Sequence, residues 1–226
     1  MVLVKCCGLT RIQDAIMCIE AGADFLGVIR VEGTPRFQSL DFLEQVVLLS
    51  EKYETARVVA VYQNAPIDMI VNDVVQSDVD FVQLHGDEDL AYVKALDEAL
   101  GNGAFIWKVF NVLDLPSIET LEAYNAYILG AVFDAPKSHK EPIDWESIPF
   151  QSILDVAVDM NFVCVLAGKL TAENLPEVLT RFWLSVVDVA SGIENPETGF
   201  KDKKKTKAFI KVARSRRLHP PTLRTT

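Results

Sequence analysis

An α/β chain closed into a single (β/α)8 barrel, the TIM-barrel architecture, is the fold class this sequence predicts, on three observations. Short apolar runs recur eight times along its 226 residues. Amphipathic stretches or capping signals separate them, which is the strand and helix alternation of a parallel barrel. The runs are near-continuously apolar, as strands covered on both faces are. No linker or break in composition divides the chain, which favours closure over the runner-up, an open doubly wound sheet. The barrel is expected over 1–214. A basic tail is expected over 215–226, where Pro220 and Pro221 oppose a helix and Arg216, Arg217 and Arg224 meet no acid.

Taken in order, the first run is VLVKC (2–6), which ends in a cysteine pair before Gly8. Thr10 with Gln13 three residues on predicts a capping box. The helix it opens carries Ile12, Ala15, Ile16 and Ile19 as its apolar stripe, and Ala21-Gly22-Ala23-Asp24 ends it. FLGVI (25–29) is the second strand, and Ser39 caps a helix carrying Phe42, Leu43, Val46 and Leu49. RVVAVY (57–62) follows, with Pro66 in the first turn of a helix through Val74. FVQL (81–84) precedes an N-cap at Asp87. FIWKVF (105–110), AYILGAVF (126–133), FVCVL (162–166) and LSVVDV (184–189) complete the strands. Thr171 is a further N-cap candidate, and the last helix is expected from Asp202 to about Arg214.

Half the residues are apolar, so a large core is available. The net charge of -10 opposes nucleic-acid binding, although a local site can still take an anion. Cys6, Cys7, Cys18 and Cys164 show no CxxC spacing and the chain holds three histidines, which argues against structural zinc. Adjacent Cys6 and Cys7 on one strand point to opposite faces and are not expected to pair. Free thiols, a strand-like beginning and no apolar run of membrane-spanning length give the expectation of a cytoplasmic protein without a membrane partner. Oligomeric state is not readable.

In a barrel, chemistry gathers at the C-terminal ends of the strands. Cys7 ends strand one, Arg36 lies in the loop after strand two, and Asn64 follows strand three. Gln83, His85 and Gly86 close strand four, Asn111 follows strand five, and Asp134 ends strand six. Gly168 and Lys169 follow strand seven, and Asp188, Ala190, Ser191 and Gly192 end or follow strand eight. Loops after strands seven and eight are the usual phosphate site of this architecture, because small residues let backbone N–H groups approach the anion. Cys7 and Asp134 face each other across the mouth. A thiolate and a carboxylic acid so placed move a proton between neighbouring atoms without a metal or cofactor. His85 ranks behind that pair, as a wall residue.

These segments resemble the N-(5'-phosphoribosyl)anthranilate isomerase family of tryptophan biosynthesis. The resemblance rests on VKCCGLT (4–10), EAGADFLGVI (20–29), TPR (34–36), VAVYQN (59–64), VQLHGDED (82–89), FDAP (133–136), IDW (143–145), LAGKLTAENL (166–175), VDVASGIE (187–194) and GFKD (199–202). It implies a single-domain barrel without cofactor or metal that performs an Amadori rearrangement of a small anionic phosphorylated substrate. By the same resemblance Asp134 is the general acid and Cys7 the base. Arg36 grips the anthranilate end and Asp188 lies near the substrate amine, while Gln83 and His85 are expected to line the site from their position at the end of strand four. Gly168, Lys169, Ala190, Ser191 and Gly192 form the phosphate cradle. Three departures stand out. Lys169 replaces a family glycine, Ala190-Ser191 replaces a serine pair, and APKSHKEP (135–142), with Lys137 and Lys140, replaces a glycine-rich lid. They keep open a family barrel with altered substrate or lost turnover. A pentose-phosphate epimerase is the more distant alternative.

Overall fold

The computed structural model describes residues 1–135, 139, 143–145 and 148–215. The lid segment's Lys137 and Lys140 and tail residues 216–226 lie outside them. Eight parallel strands close into a barrel in sequence order, β1 (Leu3–Cys7), β2 (Phe25–Ile29), β3 (Arg57–Tyr62), β4 (Phe81–Leu84), β5 (Phe105–Asn111), β6 (Gly130–Asp134), β7 (Val163–Leu166) and β8 (Val186–Val189). The closing pair is β1 with β8, in a register that sets Lys5 beside Asp188. The helices are α1 (Ile12–Ala21), α2 (Leu40–Tyr53), α3 (Ile67–Ser77), α4 (Leu90–Leu100), α5 (Ile118–Tyr124), α6 (Phe150–Asp159), α7 (Leu175–Arg181) and α8 (Lys203–Ser215). A 3-10 turn, Ser191–Ile193, precedes α8. The open-sheet alternative is therefore excluded.

Strand alternation divides the core in two. Val4, Cys6, Leu26, Val58, Ala60 and Val82 point outward and pack beneath the helices. Cys7, Phe25, Val59, Val61, Trp107, Val132, Val165 and Val186 point inward and fill the barrel. The interior is packed by rings: Phe25 and Trp107 meet edge-on at 5.1 Å, and a Cβ on Gly130 would lie 2.7 Å from Trp107. Glycine at 130 is thus what admits the indole.

Several sequence expectations shift. Residue Arg11, with extended backbone, precedes α1, and no side chain caps it, so Thr10 and Gln13 form no capping box. Arg11 instead pairs with Asp14, which is buried because its carboxylate also accepts from the Lys201 backbone N–H. The buried face of α1 is accordingly Asp14, Ala15, Cys18 and Ile19, rotated from the apolar stripe. Asp89 rather than Asp87 caps α4, accepting from Tyr92 N–H. Thr171 accepts from Glu173 and Asn174 N–H in a turn before α7, which starts only at Leu175. Pro66 stands just before α3, which runs on to Ser77. Asp202 caps α8 from outside through the N–H groups of Lys204 and Lys205. Strand β6 starts at Gly130, because Tyr127 and Ile128 N–H groups close a turn on the Tyr124 carbonyl.

Candidate active site

The nominated side chains converge. Cys7, Arg36, Gln83, His85, Asp134, Gly168, Lys169, Asp188, Ala190, Ser191 and Gly192 all line one cavity of about 290 Å³ at the C-terminal ends of the strands. Thr34, Gln63 and an apolar wall of Ile29, Val31, Val61, Ala135, Ala167 and Leu170 complete it.

Cys7 reaches the cavity because it is the inward residue at the end of β1. Its neighbour Cys6 is fully buried on the other side. A Cβ on Gly27 would sit 2.7 Å from the Cys7 Sγ, so glycine on β2 makes room for the thiol. Burial pushes the thiol up from its ordinary range, the Lys5 ammonium pulls it back, and the Asp188 carboxylate pushes it up again. Lys5 is fully buried, and its Nζ donates to Asp188 Oδ2 at 2.7 Å. Burial opposes the charge of Lys5, but Asp188 and Cys7 outweigh it and hold the ammonium above its ordinary value.

Asp134 ends β6 on another side of the same cavity. Its Oδ2 lies 3.4 Å from His85 Nε2, an ion pair when the imidazole is protonated. Gln83 Nε2 meets His85 Nδ1 at 3.3 Å. The turn that carries His85 is pinned from behind. Glu88 accepts from Gly86 and Asn64 N–H, and Lys108 donates to both Gly86 O and Glu88. Backbone also crowds the acid: a Cβ on Gly168, whose φ is +95°, would lie 2.8 Å from Asp134 Oδ1.

Arg36 arrives from the loop after β2. It is anchored by Glu194, with Nε to Oε1 at 2.8 Å and Nη2 to Oε2 at 2.7 Å. The pairing raises the pKa of Arg36. Burial works against the charge of Glu194, but Arg36 and Lys201 prevail and hold it below the usual carboxylate range. Gly8, at φ +73°, lets Arg36 cross, since a Cβ there would lie 2.5 Å from Arg36 Cδ. Lys201 is the knot beneath: its Nζ donates to Cys7 O at 2.6 Å, Glu194 Oε1 at 2.8 Å and Ala190 O at 3.1 Å.

The loops after β7 and β8 touch. A Cβ on Gly192 would fall 1.9 Å from the Leu170 carbonyl oxygen, so no other residue permits this approach. Lys169 holds φ +53°, the left-handed conformation that a glycine takes without strain. It also borders a second hollow with Ser191, Gly192, Lys204 and Lys205. Three lysines and one carboxylate, Glu173, thus line the region where the sequence predicts a phosphate, a local excess of positive charge against the net charge of -10.

Lys5, Glu194 and Lys201 were not singled out by sequence reasoning. Their signals were a lysine inside an apolar strand run, and charges in the GIE and GFKD segments. The arrangement as a whole offers a thiol and a carboxyl group on one cavity, with cations at its rim. Among the described residues, no group of three or more histidine, cysteine, aspartate or glutamate side chains is set to hold a metal. None of the described helices is long and apolar enough to cross a membrane.

A family profile described as N-(5'-phosphoribosyl)anthranilate isomerase matches residues 4–212. A curated isomerase of that name from Aquifex aeolicus is 33% identical over 219 residues, covering 95% of this chain and all of its own. One from Geobacter sp. strain M21 is 32% identical over 219 residues, covering 95% of this chain and 98% of its own. The crystal structure of the Thermotoga maritima enzyme superposes with a TM-score of 0.76 at 26% identity, over 96% of this chain and 100% of that one. A phosphoribosyl anthranilate isomerase solved in complex with reduced 1-(o-carboxyphenylamino)-1-deoxyribulose 5-phosphate gives 0.75 at 26%, with the same coverage.

Proposed function

Since this chain belongs to the N-(5'-phosphoribosyl)anthranilate isomerase family, we propose that it converts N-(5-phospho-β-D-ribosyl)anthranilate into 1-(2-carboxyphenylamino)-1-deoxy-D-ribulose 5-phosphate. One observation carries the reading: Cys7 and Asp134 border a single cavity with a cationic rim. Residues 1–214 form the catalytic unit and 215–226 an appended basic segment.

Asp134 protonates the ribose ring oxygen, the C1–O bond breaks, and the ring opens to an iminium. The Cys7 thiolate then takes the proton from C2, which gives an enolamine, and tautomerisation yields the ketone. Substrate and product are isomers, so no atom is lost and no oxidant is needed. Asp188 Oδ1, buried and without a hydrogen-bond partner among the described residues, accepts from the substrate amine. Arg36 binds the anthranilate carboxylate with the guanidinium edge that Glu194 leaves open. Gln83 and His85 form the wall beside Asp134. Gly168, Lys169, Ala190, Ser191 and Gly192 cradle the phosphate through backbone N–H groups and one ammonium.

The test is loss of anthranilate fluorescence with the phosphoribosylated substrate, run beside calorimetric binding of a product analogue. Turnover supports the reading. Binding without turnover would make this a phosphate-binding member that has lost its chemistry. A substrate preference for another phosphorylated aminosugar would overturn the named substrate alone.

A further inference from the structure

Lys5 is a charged side chain that the proposed chemistry leaves unused. It lies two residues before Cys7 on β1, so both side chains enter the barrel from the same strand face. The interior they share is largely apolar, with Phe25, Trp107, Val59, Val132, Val165 and Val186. A hydrophobic side chain of similar length would fill that space without stripping water from an ammonium. Packing alone therefore does not call for charge at this point.

We propose that Lys5 is a positioning residue that sets the ionisation of Cys7, its ammonium stabilising the thiolate from the barrel floor while its bond to Asp188 Oδ2 leaves Asp188 Oδ1 to the cavity. The link to catalysis rests on Cys7 as the base. Charged groups reach the thiol from four places: Lys5 on β1, Asp188 on β8, Lys201 before α8, and Arg36 in the loop after β2. His85 and Asp134 border the same cavity from β4 and β6. Lys201 spends its Nζ on two carbonyls and Glu194. Arg36 is committed on two nitrogens to Glu194. Lys5 gives one bond to a carboxylate oxygen, and its ammonium lies buried on the same inward face of β1 as the thiol.

The energetic logic is differential. Lys5 stays protonated throughout, held so by Asp188 and Cys7 against its burial. Its attraction to Sγ is strong only while the sulfur is negative, so it favours the state that accepts the proton. Asp188 opposes it by repelling the same negative sulfur. The two neighbours therefore act in opposite directions, and their removal must do so too.

The experiment measures iodoacetamide alkylation of Cys7 against pH in the full-length chain, located by peptide mass mapping. Variants are Lys5→Met, Lys5→Arg and Asp188→Asn. Lys5→Met should raise the alkylation midpoint by about one pH unit or more, a tenfold loss of thiolate at a given lower pH. Lys5→Arg should stay near the parent, and Asp188→Asn should lower the midpoint. An unmoved midpoint in folded Lys5→Met overturns the proposal. If Lys5→Met does not fold, the double variant Lys5→Met/Asp188→Asn, which leaves neither buried charge unpaired, is compared with Asp188→Asn: a raised midpoint supports the proposal and an unmoved one overturns it. The acid limb of kcat/KM is followed in parallel. Midpoints that move while that limb stays fixed support the hold of Lys5 on the thiol and sink Cys7 as the base.

Discussion

Arg36 and Glu194, 158 residues apart in sequence, form a two-point ion pair across the rim of the barrel. The carboxylate fixes the plane of the guanidinium before any ligand arrives, which spares ordering entropy on binding. Arg36→Lys loses the fork that matches both Glu194 and a second carboxylate. It should lower kcat/KM about tenfold or more, mainly through KM, with the melting temperature changing little. Steady-state kinetics with a melting curve checks this, and an unchanged kcat/KM removes Arg36 from the site.

Glu194 also sets an acid sensitivity. Its folded pKa lies below the unfolded value, so its contribution to stability is present above the ordinary carboxylate range and is lost as pH falls through the folded value. Glu194→Gln should therefore be less stable than the parent at neutral pH, and the gap should close as pH falls below the ordinary carboxylate range. Melting temperatures of the two proteins against pH provide the measurement. A gap that is constant with pH would mean that packing, not charge, is what the glutamate supplies.

The proposed acid and base give the largest expected losses. Cys7→Ser and Asp134→Asn should each cut kcat by at least about 10²-fold, the scale of a positioned proton carrier. Cys6→Ser should leave kcat within a few fold, because that side chain lies on the helix side of β1. Activity retained in Cys7→Ser would end the assignment of the thiol as base.

Lys169 occupies a left-handed backbone at φ +53°. Lys169→Gly relieves roughly 1 kcal/mol of strain, worth about 2–4 °C in melting temperature at this chain length. Lys169→Ala keeps the strain. Both remove a cation that is screened over about 8 Å at physiological salt. Phosphate-ligand binding should weaken at low salt and less at high salt in both variants, while only the glycine variant gains stability. Calorimetry across ionic strengths and melting curves separate the two effects. Equal or tighter binding by the glycine variant at every salt would reduce Lys169 to a tolerated surface residue.

Gly8 is the fifth test. A methyl group there meets Arg36 Cδ at 2.5 Å on a backbone with φ +73°. Gly8→Ala should destabilise the fold by about 1 kcal/mol or more and raise KM by displacing Arg36. A KM equal to the parent's would show that the guanidinium has another route over the loop.

The barrel was legible because apolar runs and their spacing report burial directly. Strand ends shifted by a residue or a few, most at β6, where turn residues 126–129 share the apolar composition of the strand they precede. Helix starts were read from side-chain type, and type alone does not say which of two nearby acids accepts the capping hydrogen bond, as Asp87 and Asp89 show. The cavity residues were legible because polar side chains at strand ends have few other reasons to be there. Lys5, Glu194 and Lys201 were hidden because each has a partner 183, 158 or 194 residues away in the chain, beside the shorter link from Lys201 to Glu194. No local pattern reports a contact of that range. Buried charge on α1, at Asp14, was missed for the same reason.

The knot tied by Lys201 has a consequence in time rather than in space. Its Nζ joins the carbonyl of Cys7, near the start of the chain, to the loop after β8, near the end. The seam between β1 and β8 can form only when both partners exist. A nascent chain that has delivered the thiol, the carboxyl group and six or seven strands still lacks both the strand that closes the ring and the lysine that ties the seam. Contacts of such range are slow to form, and an open barrel exposes two unpaired strand edges while it waits. Emergence of β8 from the ribosome thus makes barrel closure possible, and emergence of residue 201 adds the lysine that ties the closed seam beneath the site. Truncation before that point should yield a sticky intermediate rather than a weak enzyme.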